Sequence, residues 1–228
     1  PYLLPTLQHQ QVLPVISLGD AVKQVYWSLE SQGIPDYRLE SELLLANVIG
    51  VSRYHIFAFQ ENEITAQQEN DLAKAVERRI KREPLAYILG HKEFYDITVK
   101  VSPDVMIPRP ETELLVEHTL AITRGSMEDR QLVIAEPGTG SGCISISLAL
   151  QLESARIYAT ELSQGALRIA RLNIQQHEVS DRVTLLQGDL LQPIPEAMDI
   201  IVANLPYICS DDIVSLSKEV QWEPRVAL

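Results

Sequence analysis

Four short segments in the second half of this 228-residue chain carry side chains able to bind and orient a polar small molecule. The first is Glu136-Pro137-Gly138-Thr139-Gly140-Ser141-Gly142, a glycine-rich turn between the apolar run LVIAE and the segment ISISLALQL. Glycines let the backbone pass close to a ligand, and the start of a helix offers unpaired N–H groups to an anion. The glycines alternate, so the GxGxxG spacing is absent, and no Walker lysine follows. A carboxylate or a small zwitterion therefore fits the turn better than a pyrophosphate or a nucleoside triphosphate. Glu161 ends the next apolar run, where the two acceptor oxygens of an acid can take the ribose hydroxyls of a nucleoside. Asp189 ends a third run and can accept from the exocyclic amine of a purine, with Leu190 against the ring. Asn204-Leu205-Pro206-Tyr207 follows a fourth run. It combines an amide acceptor, a fixed bend and a flat aromatic face, a set suited to a planar amide-like or amine nitrogen.

The elements that must position these residues read as an α/β arrangement. Apolar runs at 132–136, 156–161, 182–189 and 198–207 alternate with helical segments, which implies crossovers and a parallel sheet. All four segments then fall at the carboxyl ends of strands, where open α/β sheets bind ligands. The first 90 residues read as a helical bundle. A helix is expected from about Ser17 to Ser31. Asp36 can cap a second, with Leu39, Leu43, Ala46 and Ile49 on one face and Gly50 closing it. Thr65 and Gln68 have capping-box spacing before Leu72, Ala75, Val76 and Ile80, and Pro84 ends that helix. Residues 91–101 favour strand, and a further helix opens at Pro110 and runs to about Arg124, before Gly125.

Composition excludes several classes. An apolar fraction of 46% with 22% charged residues is too apolar for intrinsic disorder. No run approaches the length of a membrane span, and the opening PYLLPTL is broken by prolines and lacks basic flanks. Cys143 and Cys209 stand far apart without a CxxC, so neither a disulfide framework nor a metal site is expected, and a reducing cytoplasm is the simplest compartment. The net charge of −12 argues against duplex nucleic acid as the main partner. Acidity is concentrated late: residues 1–110 carry 11 basic and 14 acidic side chains, residues 111–228 carry 8 and 17. The basic cluster Arg78, Arg79, Lys81 and Arg82 reads as a solvated helix face, the alternative being a contact with an RNA-bearing or acidic partner.

In this order, EPGTGSG, Glu161, Gly188-Asp189 and NLPY resemble the class I methyltransferases that use S-adenosylmethionine. NLPY is also similar to the (D/N/S)PP(Y/F/W) site of enzymes that methylate planar nitrogen. The segments EPLAYILG at 83–90, EFYDITVKVSPDVMIPRPETELLVE at 93–117 and QWEPRVAL at 221–228 resemble the HemK/PrmC family of peptide chain release factor N5-glutamine methyltransferases. Together these cover nearly the whole chain, and IPRPETE with the NxPY site is the most specific pair.

That resemblance implies an N-terminal helical substrate-recognition domain (1–90), a linking β-hairpin (91–110) and a Rossmann-like S-adenosylmethionine-binding domain (111–228). The implied reaction methylates the glutamine amide of the GGQ loop in class I release factors. Glu136, Gly138, Thr139, Gly140, Ser141 and Gly142 would hold the methionine end of the cofactor, Glu161 the ribose, and Asp189 with Leu190 the adenine. Asn204 would bridge cofactor and substrate and act in catalysis with Tyr207, while Leu205 and Pro206 complete the substrate site. Leu205 stands where proline is commoner and Glu136 where aspartate is commoner. The family sheet has about seven strands and only four are visible, so the sheet is expected to be incomplete at the C-terminus. The start at Pro1 and the stop at Leu228 then read as edges of an incomplete sequence. A cytoplasmic monomer acting on a release factor, with neither duplex DNA nor membrane as partner, is the expectation. A ribosomal-protein glutamine methyltransferase and an adenine-N6 DNA methyltransferase are the alternatives.

Overall fold

Side-chain capping marks the start of two of the N-terminal helices. In the computed structural model, which describes residues 16–124, 131–209 and 211–228, the Ser17 hydroxyl accepts from the Asp20 N–H and opens α1 (Leu18–Ser31). Then come α2 (Tyr37–Ile49), α3 (Arg53–Ala58) and α4 (Ala66–Ile80). At α4 the Thr65 hydroxyl accepts from the Gln68 N–H while the Gln68 side chain accepts from the Thr65 N–H, both halves of the capping box. Gly50 closes α2 in the left-handed conformation, its N–H on the Ala46 carbonyl. The described residues up to Lys81 belong to the first of two compact units. Among the described residues its core is built on Val25, Leu29, Ile34, Leu44, Leu45 and Ile56. The readings of PYLLPTL and of Gly125 lie outside the described residues.

Helix α2 differs from expectation in phase. Leu39 is exposed, whereas Leu44 and Leu45 are fully buried, and the Asp36 side chain makes no cap bond. The cause is Glu40, whose carboxylate takes two bonds from the Arg79 guanidinium, at 2.6 and 3.2 Å, with both residues buried. A charge-assisted bidentate pair of this kind turns the Glu40 face of α2 inward. It also breaks up the expected basic face, because Arg79 is buried and Lys81 is bonded to Glu77 at 2.7 Å.

The described residues from Arg82 onward form the second unit. Helix α5 (Leu85–Leu89) and the antiparallel hairpin β1 (His91–Phe94) and β2 (Ile97–Lys100) belong to the sheet's own core. Tyr87, Phe94 and Val99 are buried in that core, and the Tyr87 hydroxyl donates to the Val105 carbonyl at 2.6 Å. After α6 (Glu113–Arg124) come β3 (Val133–Pro137), α7 (Cys143–Gln151), β4 (Arg156–Glu161), α8 (Gln164–Gln176), β5 (Val183–Gln187) and β6 (Ile200–Ile201). The four strands pair in parallel in the order β5-β4-β3-β6. The expected fourth strand, 198–207, shrinks to two residues. Its ladder ends with the Val202 N–H on the Ala135 carbonyl, because Pro137 has no N–H to continue it and β3 turns away at Gly138. The result is a Rossmann-like sheet with helices, and a switch point where β6 joins on the far side of β3.

Candidate active site

The switch point brings the four chemical segments together. One cavity is lined by the glycine turn after β3, by Glu161 at the end of β4, by Gly188, Asp189 and Leu190 after β5, and by Asn204, Leu205 and Pro206 after β6. In a parallel sheet every strand points its carboxyl end to the same edge, so segments up to 68 residues apart meet there. Two expected residues are not among the cavity's lining. Gly142 is the residue before α7, and a Cβ on it would meet Ile146 and Ala170 rather than the cavity, so it serves helix packing. Tyr207 is 80% exposed, beyond Pro206. Its backbone N–H bonds the Leu228 carbonyl, which holds the chain there while the ring faces solvent.

The turn itself depends on glycine conformations and on hydrogen bonds. Gly138 and Gly140 have φ of +70° and +55°, where a side chain costs on the order of 1 kcal/mol. A Cβ on Gly138 would approach Leu205 Cδ2 to 3.1 Å, so the turn and the NLPY segment lie against each other. A Cβ on Gly140 would meet nothing within 4 Å. Glu161 is more than a strand-end acid: one of its oxygens accepts from the Gly140 N–H at 3.0 Å, the other from Leu162 and Ser163 at 2.8 and 2.9 Å. It thus ties the glycine turn to β4. Asn173 on α8 supports the turn from behind, donating to the Ser141 and Lys100 carbonyls and accepting from the Lys100 N–H, each bond 2.8–3.0 Å. Leu190 sits at φ +47°, an uncommon conformation for leucine, held by the buried Thr160 hydroxyl donating to its carbonyl at 2.6 Å. Its side chain, half exposed, lines the cavity.

Glu136 is 2% exposed. One oxygen accepts from the Thr139 hydroxyl, the Ser145 N–H and the Ser145 hydroxyl, which leaves the other for the cavity. Burial pushes this carboxyl up to about 7, against the opposing pull of the Ser145 and Thr139 bonds, and the charge of Glu161 adds to the rise. Burial likewise pushes the Cys143 thiol up to about 12, which favours its neutral form. Asn204 Nδ2 donates to Thr112 Oγ1 at 3.2 Å. Among the described residues lining the cavity there are four carboxylates, Asp104, Glu136, Glu161 and Asp189, and no lysine, arginine or histidine.

Sequence reasoning misses Asp104, Met106, Pro108 and Thr112, and also Val226 with Ala227, all of which line the cavity. Their segments, EFYDITVKVSPDVMIPRPETELLVE and QWEPRVAL, are visible as motifs. What cannot be seen is that they fold over the sheet edge, since nothing in their spacing points to β3 or β6.

Two family models match: that of the PrmC N-terminal domain over residues 20–90, and that of ribosomal protein L11 methyltransferase (PrmA) over residues 116–222. The chain is 40% identical over 215 residues to the release factor glutamine methyltransferase of Coxiella burnetii, covering 94% of this chain and 75% of that protein. It is 39% identical to the release factor glutamine methyltransferase of Moorella thermoacetica, covering 93% and 73%. Among solved structures it is similar to the N-terminal domain of human METTL16 in complex with SAH, with 16% identity, a TM-score of 0.43 and coverage of 66% of this chain and 58% of that one. With relatives this similar along most of both sequences, from the helical unit through the sheet, the chain belongs to the release factor glutamine methyltransferase family.

Proposed function

We propose that this protein transfers a methyl group from S-adenosylmethionine to the side-chain amide nitrogen of the GGQ-loop glutamine in a class I peptide chain release factor. The observation that carries the reading is the Asn204 amide. Its nitrogen is bonded to Thr112, so its oxygen is the acceptor left for the cavity it lines, beside the glycine turn. The cavity suits the cofactor by its donor set. Four carboxylates and no cation disfavour a phosphorylated ligand and favour a cationic nucleoside with an ammonium and a sulfonium. The free oxygen of Glu136 fits the ammonium, the glycine turn the amino-acid end, Glu161 the ribose, and Asp189 with Leu190 the adenine. When bound, S-adenosylmethionine supplies an electrophilic methyl group.

An amide nitrogen is a poor nucleophile because its lone pair is delocalised into the carbonyl. The chain's part is therefore orientation and charge stabilisation. The Asn204 side-chain oxygen and the Leu205 carbonyl accept the two N–H groups of the substrate amide and hold its nitrogen in line for attack. The same acceptors favour the positive charge that develops on that nitrogen. No general base of tuned pKa is needed, because the methylated nitrogen is acidic and loses its proton to an acceptor or to water. Tyr207, exposed beside the site, packs on the incoming glutamine segment rather than on the cofactor. The helical unit contributes to docking the release factor.

No described helix is long and apolar enough to cross a membrane. A cytoplasmic monomer fits the reading, and the acidity of the chain and of its cavity weighs against duplex DNA as substrate. The decisive experiment measures methylation of purified release factor and cofactor binding in Asn204→Ala. Activity should fall roughly 10²- to 10³-fold, the scale of losing a preorganised polar contact in a transition state, with cofactor still bound. A normal rate in that variant overturns the reading. Methylation of a ribosomal protein in preference to the release factor would move the substrate assignment.

A further inference from the structure

We infer that Thr112 is a positioning residue for the transfer, acting through the Asn204 amide. The inference rests on the proposed role of Asn204 and deepens it. The oxygen and nitrogen ends of an asparagine amide are nearly equal in size, so packing does not choose between them; hydrogen bonds do. Catalysis needs the oxygen toward the substrate, since the substrate amide presents N–H donors. In that orientation the Asn204 NH2 points the other way and needs an acceptor of its own, and Thr112 Oγ1 stands 3.2 Å from it. Turned over, Asn204 would set its own NH2 against the NH2 of the substrate, donor against donor.

Thr112 is itself held in place from a distance. It is 7% exposed and ends a single turn of 3-10 helix, Pro110–Thr112, with its N–H on the Arg109 carbonyl at 3.0 Å. The stretch leading into that turn is clamped by Glu223, only 4% exposed. One Glu223 oxygen accepts from the Ile107 N–H at 3.1 Å and the other from the Arg109 guanidinium. A charge-assisted pair with one partner buried resists displacement, and Pro108 and Pro110 stiffen the segment between the clamp and the turn. The line of support runs from Glu223 through Ile107 and Arg109 to Thr112, and from Thr112 to the Asn204 amide. This gives IPRPETE and QWEPRVAL one joint task, aiming the amide acceptor that follows β6.

The test compares Thr112→Val and Thr112→Ser with the parent protein, using purified release factor for kcat and calorimetry for S-adenosylmethionine affinity. Thr112→Val keeps the shape and removes the acceptor. It should lower kcat roughly 10- to 100-fold, the scale expected when a reacting group loses its alignment, and leave cofactor affinity unchanged. Thr112→Ser keeps the hydroxyl and should restore most of the loss. Added to Asn204→Ala, Thr112→Val should cost nothing further, because its route to the substrate is already gone. Unchanged kcat in Thr112→Val overturns the inference. So does a serine variant as impaired as valine, or an undiminished loss in the Asn204→Ala background. A wild-type rate in Asn204→Ala alone would instead remove the underlying reading of Asn204.

Discussion

Replacing Glu136 by glutamine should remove a pH dependence of stability that the buried carboxyl imposes. The group holds its proton to about 7 in the folded chain, against an ordinary value of 4.5. It is shut away from solvent, so its raised proton affinity acts without screening. A group whose folded pKa is raised stabilises the fold fully below its unfolded value, and that contribution is lost as the pH rises through the folded one. Between pH 5 and pH 8 the difference works out at about 2.5 kcal/mol, taking roughly 1.36 kcal/mol for each tenfold gain in proton affinity and weighting by occupancy at the two ends. For a chain of this size that corresponds to roughly 5–10 °C in Tm. Thermal melts of the ligand-free protein and of Glu136→Gln across this range isolate the contribution, because every other titrating group is common to both. The parent should lose this much stability relative to the variant on going from pH 5 to pH 8. Saturating S-adenosylmethionine should shrink the difference, since an ammonium against Glu136 favours the charged form. Parallel profiles for the two ligand-free proteins would refute the argument, showing that the carboxyl is solvated and ionised throughout.

Two further substitutions probe what holds the site and the helical unit. Asn173→Ala removes three hydrogen bonds that join α8 to Lys100 and Ser141, the last of them fully buried. It should cost about 3 kcal/mol in urea unfolding and weaken cofactor binding as the glycine turn loosens. In the helical unit, Glu40→Gln takes the carboxylate charge from the buried Arg79 guanidinium. The first unit should lose roughly 3 kcal/mol in a denaturant titration followed by its helical signal, whereas Lys23→Gln, at an exposed pair, should change nothing measurable.

Local signals suffice where the governing interaction is local. The capping box at Thr65 and Gln68, the helix stop at Gly50 and the serine cap of α8 each involve residues within five positions of one another. Sequence patterns mislead where a distant partner decides. Periodicity places Leu39 inside, but Arg79, some forty residues away, draws Glu40 in and turns Leu39 out. Apolar character carries the fourth strand to Tyr207, but its length depends on what its neighbour can offer, and Pro137 offers no N–H. Alternation gives the hairpin its strands, but only the distant residues around them show that Phe94 and Val99 pack into the core of the sheet unit.

By itself the sequence determined the residue types of the chemistry: a glycine turn, two strand-end acids and an Asn-Leu-Pro-Tyr segment, in an order and a strand–helix rhythm that imply one sheet edge. Tertiary structure alone decided which of them meet. It excluded Gly142 and the Tyr207 ring from the cavity wall and added Asp104, Thr112 and the 226–227 segment to it. It also made Glu161 a brace for the glycine turn and gave the Asn204 nitrogen its partner. The physical reason is range. Capping and periodicity act within a turn or two of chain, whereas the switch point joins β6 to β3 across two intervening strands, and a side chain's free hydrogen-bonding end is known only once its distant neighbours have claimed the other.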